Sequence, residues 1–161
     1  GSIRLSLGHT LTKACCLRSL AELEAGEPRR EAVVSLTPAC LDTRGLIVNL
    51  PAAAYVAYIT SAKGSRRASH YHPKDWQRMV CVSGSYRAVA QEVDLETGLL
   101  VPGTRTEQVV RAGQLAICPP WLAHAYEFLE PTVFLNLTDE DRTGEFSSHT
   151  IRLPEGWPWI T

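Results

Sequence analysis

From about residue 28 to about residue 140 the chain is cut into short β-type runs by turn residues. The runs are EAVVSLTP, LIVNLP, AYVAYITSA, QRMVCVSGSYRAVAQEVD, TEQVVRAG, QLAICPP, AYEFLEP and TVFLNLT, punctuated by TRG, KGS, SGS, ETG, PGT, RAG and PP. Many short strands with glycine and proline between them specify an antiparallel sandwich or barrel, not alternating β–α units. Ahead of them, TKACCLRSLAELEAGE (12–27) carries apolar residues at helical spacing, with Gly26 as its stop. The expectation is an all-β fold with a short N-terminal helical segment.

A chain of 161 residues suits one domain that buries its own core. Its formal net charge of −1 gives no general reason to expect nucleic acid or an anionic membrane as partner. Lys63, Arg66, Arg67 and Lys74 nevertheless gather locally, which fits a small anionic ligand better than a polymer. The five cysteines, Cys15, Cys16, Cys40, Cys81 and Cys118, are odd in number and form no C-x-x-C pair. That usage predicts a reducing, cytoplasmic setting and not a disulfide framework. No apolar run reaches membrane-spanning length and no secretory signal is read at the start.

The stretch GSRRASHYHPKDWQRMVCVSG (64–84) sets His70 and His72 one residue apart, with Gln77 following. On a strand, alternation points both histidines to one face. A second block runs from Gly113 through Pro119 and Trp121 to His124. If it crosses the same face, three imidazoles and one amide converge on a concave site. Histidine is the natural base for a proton next to a ketone. Gln77 and Arg78 are candidates to stabilise the enolate, and arginine forks match phosphate oxygens. Three imidazoles also suit a divalent metal, although Gln77 stands where a carboxylate would have favoured one.

Together the two blocks resemble the two cupin motifs, G-x5-H-x-H-x4-E-x6-G and G-x5-P-x-G-x2-H-x3-N. Gln77 replaces the glutamate, Trp121 the glycine and Phe128 the final asparagine. The resemblance implies a cupin jelly-roll β-barrel over 40–140, which leaves an N-terminal extension (1–39) and a tail (141–161) whose two tryptophans, costly to leave in water, are expected to pack on the barrel or a second subunit. Within it, DTRG (42–45), RRASHYH (66–72) and PPWLAHAYEFLE (119–130) resemble elements of dTDP-4-dehydrorhamnose 3,5-epimerases. HYHPKDWQRMVCVSGS resembles a stretch of nucleotide-sugar 3,4-ketoisomerases. The family glycine of R-G-x-H is Ala68 here, and TVFLNL lacks the tyrosine that epimerases place there.

Carried over, the resemblance implies His70 as base, His72 as companion proton shuttle and Arg67 as diphosphate anchor. Arg66, Arg78, Arg44 and Trp121 complete the expected substrate-binding set. Tyr58, Tyr86 and Tyr126 are proton-donor candidates on alternation, and Tyr126 is carried forward as catalytic. Tyr71 is expected to point away and pack. His9 and His149 are read as structural. The expected function is an isomerase, epimerase or ketoisomerase, of a nucleoside-diphosphate 4-keto-6-deoxy sugar. One alternative is a metal-dependent oxygenase or lyase, with His70, His72, Gln77 and His124 around one zinc, iron, nickel or manganese ion. Another is a non-enzymatic cupin binding a sugar or small acid. No organic cofactor is expected, and the resemblance implies a homodimer.

Overall fold

The computed structural model describes residues 29, 31–36, 40–42, 45–47, 50, 53, 55–139 and 150–159. The helix expected at 12–27, Arg44, His9, His149, Cys15 and Cys16 lie outside the described residues. Among the described residues twelve strands follow in chain order: β1 Ala32–Ser35, β2 Cys40–Asp42, β3 Gly45–Ile47, β4 Tyr55–Ser61, β5 Arg66–Tyr71 and β6 Gln77–Ser83. Then come β7 Ser85–Glu92, β8 Thr106–Arg111, β9 Gln114–Cys118, β10 Leu122–Phe128, β11 Thr132–Thr138 and β12 Ile151–Arg152.

Two five-stranded sheets carry the fold, ordered β1-β9-β6-β11-β4 and β12-β5-β10-β7-β8, with β2 and β3 forming a separate ribbon. Every strand pairing is antiparallel. β1 and β12 lie outside the 40–140 span delimited by the motifs, yet each is hydrogen-bonded into a sheet. β2, β5 and β12 are not among the runs that composition picks out. β5 opens on two arginines, and β12 has only two residues, too few for a pattern.

The core lies between the sheets. Met79, Cys81, Ala116 and Phe134 come from one, and Tyr86, Ala88, Val110, Tyr126 and Phe128 from the other. Period-two alternation sends the intervening residues outward. Val80, Leu115 and Leu137 therefore form a separate cluster with Leu36 and Ala53. On the far side of the second sheet, Tyr71, Val93 and Ala123 pack with Trp121, Leu153 and Trp157. Residues 150–159 thus lie against the second sheet. The Trp159 ring sits beneath Arg66 and Arg87, at 5.0 and 4.8 Å. No helix among the described residues is long and apolar enough to cross a membrane.

Candidate active site

The two histidine blocks meet because β5 and β10 are neighbours in the second sheet. His124 sits opposite His70, whereas Ala125 is opposite Ala68. Ser69 is therefore an extra residue on β5, a bulge, and both Ala68 and Ser69 have positive φ (69° and 62°). The bulge resets alternation just before His70 and aims it between the sheets. His72 follows the end of β5, where its carbonyl accepts from the Trp121 amide at 2.9 Å. Gln77 opens β6 in the opposite sheet, so the site bridges both layers.

The three imidazoles converge. Ring centroids are 4.6 Å apart for His70–His72, 4.8 Å for His70–His124 and 5.5 Å for His72–His124. One ring nitrogen from each lies within 4.8 Å of the others. Their surroundings differ. His72 and His124 are buried, at 2% and 1% exposure, while His70 is half-buried and reaches solvent. His72 contacts the Gln77 amide nitrogen through Nε2 and Thr150 Oγ1 through Nδ1, the latter at 3.2 Å. His124 Nδ1 is 2.9 Å from the Leu122 carbonyl, which can only accept, so that nitrogen carries the proton. Cys118 Sγ lies 3.2 Å from the same nitrogen. These partners fix the rings of His72 and His124.

Of the expected substrate-binding arginines that the structure describes, Arg67 is the one that stands opposite the inward-facing Tyr126, and it stays exposed. It crosses from β5 to the edge strand of the other sheet, donating to Ser61 Oγ at 2.7 Å and to the Thr60 carbonyl at 3.0 Å. Both partners are neutral. Arg66 lies on the outer face and pairs with Glu127 at 3.2 Å. Arg78 alternates with the inward Gln77 and Met79, leaves the first sheet on its outer side and pairs with Asp139. The enolate-stabilising role expected for Arg78 is therefore not available from this position. Trp121, expected to bind substrate, packs instead on Tyr71 at 5.6 Å in the outer cluster, away from the inward-facing histidines. Tyr71 points away from the histidines, as alternation requires.

Tyr126 is inward but deep, 3% exposed, with its ring 5.5 Å from that of His124. Burial raises its phenol well above the usual value, and the nearby Glu31 carboxyl raises it further. A catalytic acid works best with a pKa near the operating pH, so this phenol is a poor proton donor. Of the other two tyrosines, Tyr86 is sealed in the core and Tyr58 is on the surface, at 1% and 68% exposure.

Two polar residues escaped the sequence reading. Asn136 on β11 stands opposite Met79, on the face of β11 that carries Phe134, and its buried amide oxygen has no hydrogen-bond partner among the described residues. The alternation of Phe134, Asn136 and Thr138 in TVFLNLT is the signal that could have found it. Thr150 had no such signal, since it reaches His72 through the tail.

Solved structures with this architecture are numerous. The QdtA sugar 3,4-ketoisomerase of Thermoanaerobacterium thermosaccharolyticum, solved with TDP, superposes with a TM-score of 0.61 at 19% identity, covering 77% of this chain and 88% of that one. The WlaRB TDP-quinovose 3,4-ketoisomerase of Campylobacter jejuni gives 0.62 at 16% identity, over 76% and 92% of the two chains. The dTDP-4-dehydrorhamnose 3,5-epimerase of Sulfolobus tokodaii gives 0.60 at 17% identity, over 82% and 87%. By sequence, no protein-family model and no curated protein matches the chain. The fold is the cupin jelly roll that these sugar-nucleotide enzymes share.

Proposed function

We propose that the protein is an isomerase of nucleoside-diphosphate 4-keto-6-deoxy sugars, an epimerase or ketoisomerase, with His70 as its base. The observation that carries this reading is the contrast among the three imidazoles. His72 and His124 are buried, while His70 stands beside them half-buried and reaches solvent. A fixed polar wall behind one accessible imidazole is what proton abstraction next to a ketone requires.

In this reaction the C–H bond beside the ketone breaks and its proton passes to a His70 ring nitrogen. The bonding pair enters the carbon–carbon bond, and the carbonyl oxygen takes up the negative charge. In this reading the neutral amide of Gln77 donates to that oxygen. Return of the proton to the former carbonyl carbon, with the hydroxyl proton on the deprotonated carbon passing to the former carbonyl oxygen, moves the ketone by one position. Return to the original carbon on its other face inverts it. Arg67, hydrogen-bonded only to neutral partners among the described residues, supplies charge for the diphosphate.

The test is deuterium uptake from D2O into TDP-4-keto-6-deoxyglucose, followed by mass spectrometry. The wild-type protein incorporates one deuteron per turnover, and His70→Ala lowers the rate by at least about 100-fold. No uptake by the wild-type protein would overturn the reading. A second reading follows from the same convergence: His70, His72 and His124, with Gln77, would hold a divalent cation. Such a cation polarises a carbonyl as a Lewis acid. Running the exchange with and without a chelator separates the two, because acid–base catalysis by His70 alone survives chelation.

A further inference from the structure

The C-terminal segment is built into the catalytic strand. β12 pairs with β5 so that Ile151 faces Tyr71 and Arg152 faces His70. The Leu153 amide donates to the Ser69 carbonyl at 3.0 Å, and Ser69 Oγ donates to the Trp157 carbonyl at 2.7 Å. The tail therefore holds the bulge that aims His70. Continued by one residue, the same antiparallel register places Thr150 opposite His72, and the Thr150 hydroxyl is 3.2 Å from His72 Nδ1.

The chemistry of the two contacts fixes the proton. Gln77 presents its amide nitrogen to His72 Nε2. An amide nitrogen can only donate, so Nε2 must accept. The single proton of the neutral ring then sits on Nδ1 and is donated to Thr150 Oγ1. Gln77 keeps one further N–H, the donor assigned above to the developing enolate oxygen. In the opposite tautomer Nε2 would donate, and Gln77 would have to turn its carbonyl oxygen toward the ring.

We propose that Thr150 is a positioning residue: by accepting from His72 Nδ1 it fixes the tautomer of His72, and through it the orientation of the Gln77 amide. His72 is in this account an orienting group and not a proton carrier. The functional consequence rests on the isomerase reading. The tautomer itself does not.

The experiment compares the wild-type protein with Thr150→Val and Thr150→Ser. The tautomer is read from long-range proton–nitrogen NMR correlations of His72, assigned by their absence in His72→Gln. Wild type and Thr150→Ser show the Nδ1–H form, and Thr150→Val shows a mixture or the Nε2–H form. In deuterium exchange into TDP-4-keto-6-deoxyglucose, Thr150→Val lowers kcat about tenfold with KM within about twofold. That is a fraction of the roughly 100- to 1,000-fold lost with an oxyanion donor. Thr150→Ser restores kcat to within about threefold of wild type. An unchanged tautomer in Thr150→Val overturns the proposal, as does equal behaviour of the serine and valine variants. If the wild-type protein shows no exchange, the isomerase reading fails while the NMR comparison still decides the role of Thr150.

Discussion

Two residues stand in left-handed backbone where the motifs that this chain resembles have glycine: Ala68 at φ 69° and Trp121 at φ 59°. A Cβ in that region costs roughly 1–2 kcal/mol through its clash with the following carbonyl. At Trp121 the cost is offset by packing on Tyr71 and the tail. At Ala68 only a methyl group lies against the core. Glycine there loses that contact and gains unfolded-state freedom, but it relieves the strain, so Ala68→Gly changes stability by no more than about 0.5 kcal/mol. A β-branched side chain has no such relief, and Ala68→Val costs about 2 kcal/mol or more. Paired denaturant titrations give both values. Equal costs would show that the bulge does not depend on the backbone of residue 68.

The β6–β7 hairpin is the element whose geometry is least negotiable. It turns at Gly84, with φ 82°, and a Cβ there would lie 2.5 Å from the Pro131 carbonyl oxygen and 2.8 Å from Thr132 Cα. The Gly84 carbonyl also accepts from the Ala112 amide at 3.1 Å, which ties the hairpin to the β8–β9 turn. Strain and collision add, so Gly84→Ala destabilises by about 3 kcal/mol or more. Since β6 carries Gln77 and β7 pairs with β10, the damage extends to the site. A drop in the urea midpoint with unchanged m-value is the expected signature. A midpoint within error of wild type would refute the assignment.

For the molecule as a whole, a pH-dependent contribution to stability comes from Glu31, which precedes β1 and is buried at 7% exposure. Burial pushes its carboxyl from 4.5 up to about 7, against the lowering contacts from Gln108 and Tyr126. Gln108 on β8 donates to Oε2 at 3.1 Å, so the group joins the outermost strands of both sheets. Between pH 4.5 and 7 the folded protein holds a proton there that the unfolded chain has released. Stability therefore falls as pH rises through this window and levels off above it. The span corresponds to roughly 3 kcal/mol at 1.36 kcal/mol per pH unit. Glu31→Gln removes that slope, which thermal melts at pH 5 and pH 8 would detect. A slope that persists in Glu31→Gln would place the titration elsewhere.

The sequence by itself determined the local facts. Turn chemistry and short alternating runs dictated antiparallel strands, because both act within a few residues. The spacing of two blocks around His70, His72 and His124 marked the three imidazoles, and Tyr71 was placed outward by alternation alone. The tertiary structure decided what depends on partners distant in the chain. The bulge at Ser69 and the pairing of β5 with β10 seat His70 against His124. The same packing turns Arg78 outward to Asp139 and covers Arg66 with Trp159, so an arginine's nearness in sequence was no guide to its place in the site. Thr150 reaches His72 across 78 residues through a two-residue strand, a contact set by register and invisible to composition. Side-chain identity is written locally, but the face it turns to the site follows from strand order and register, which the whole chain settles together.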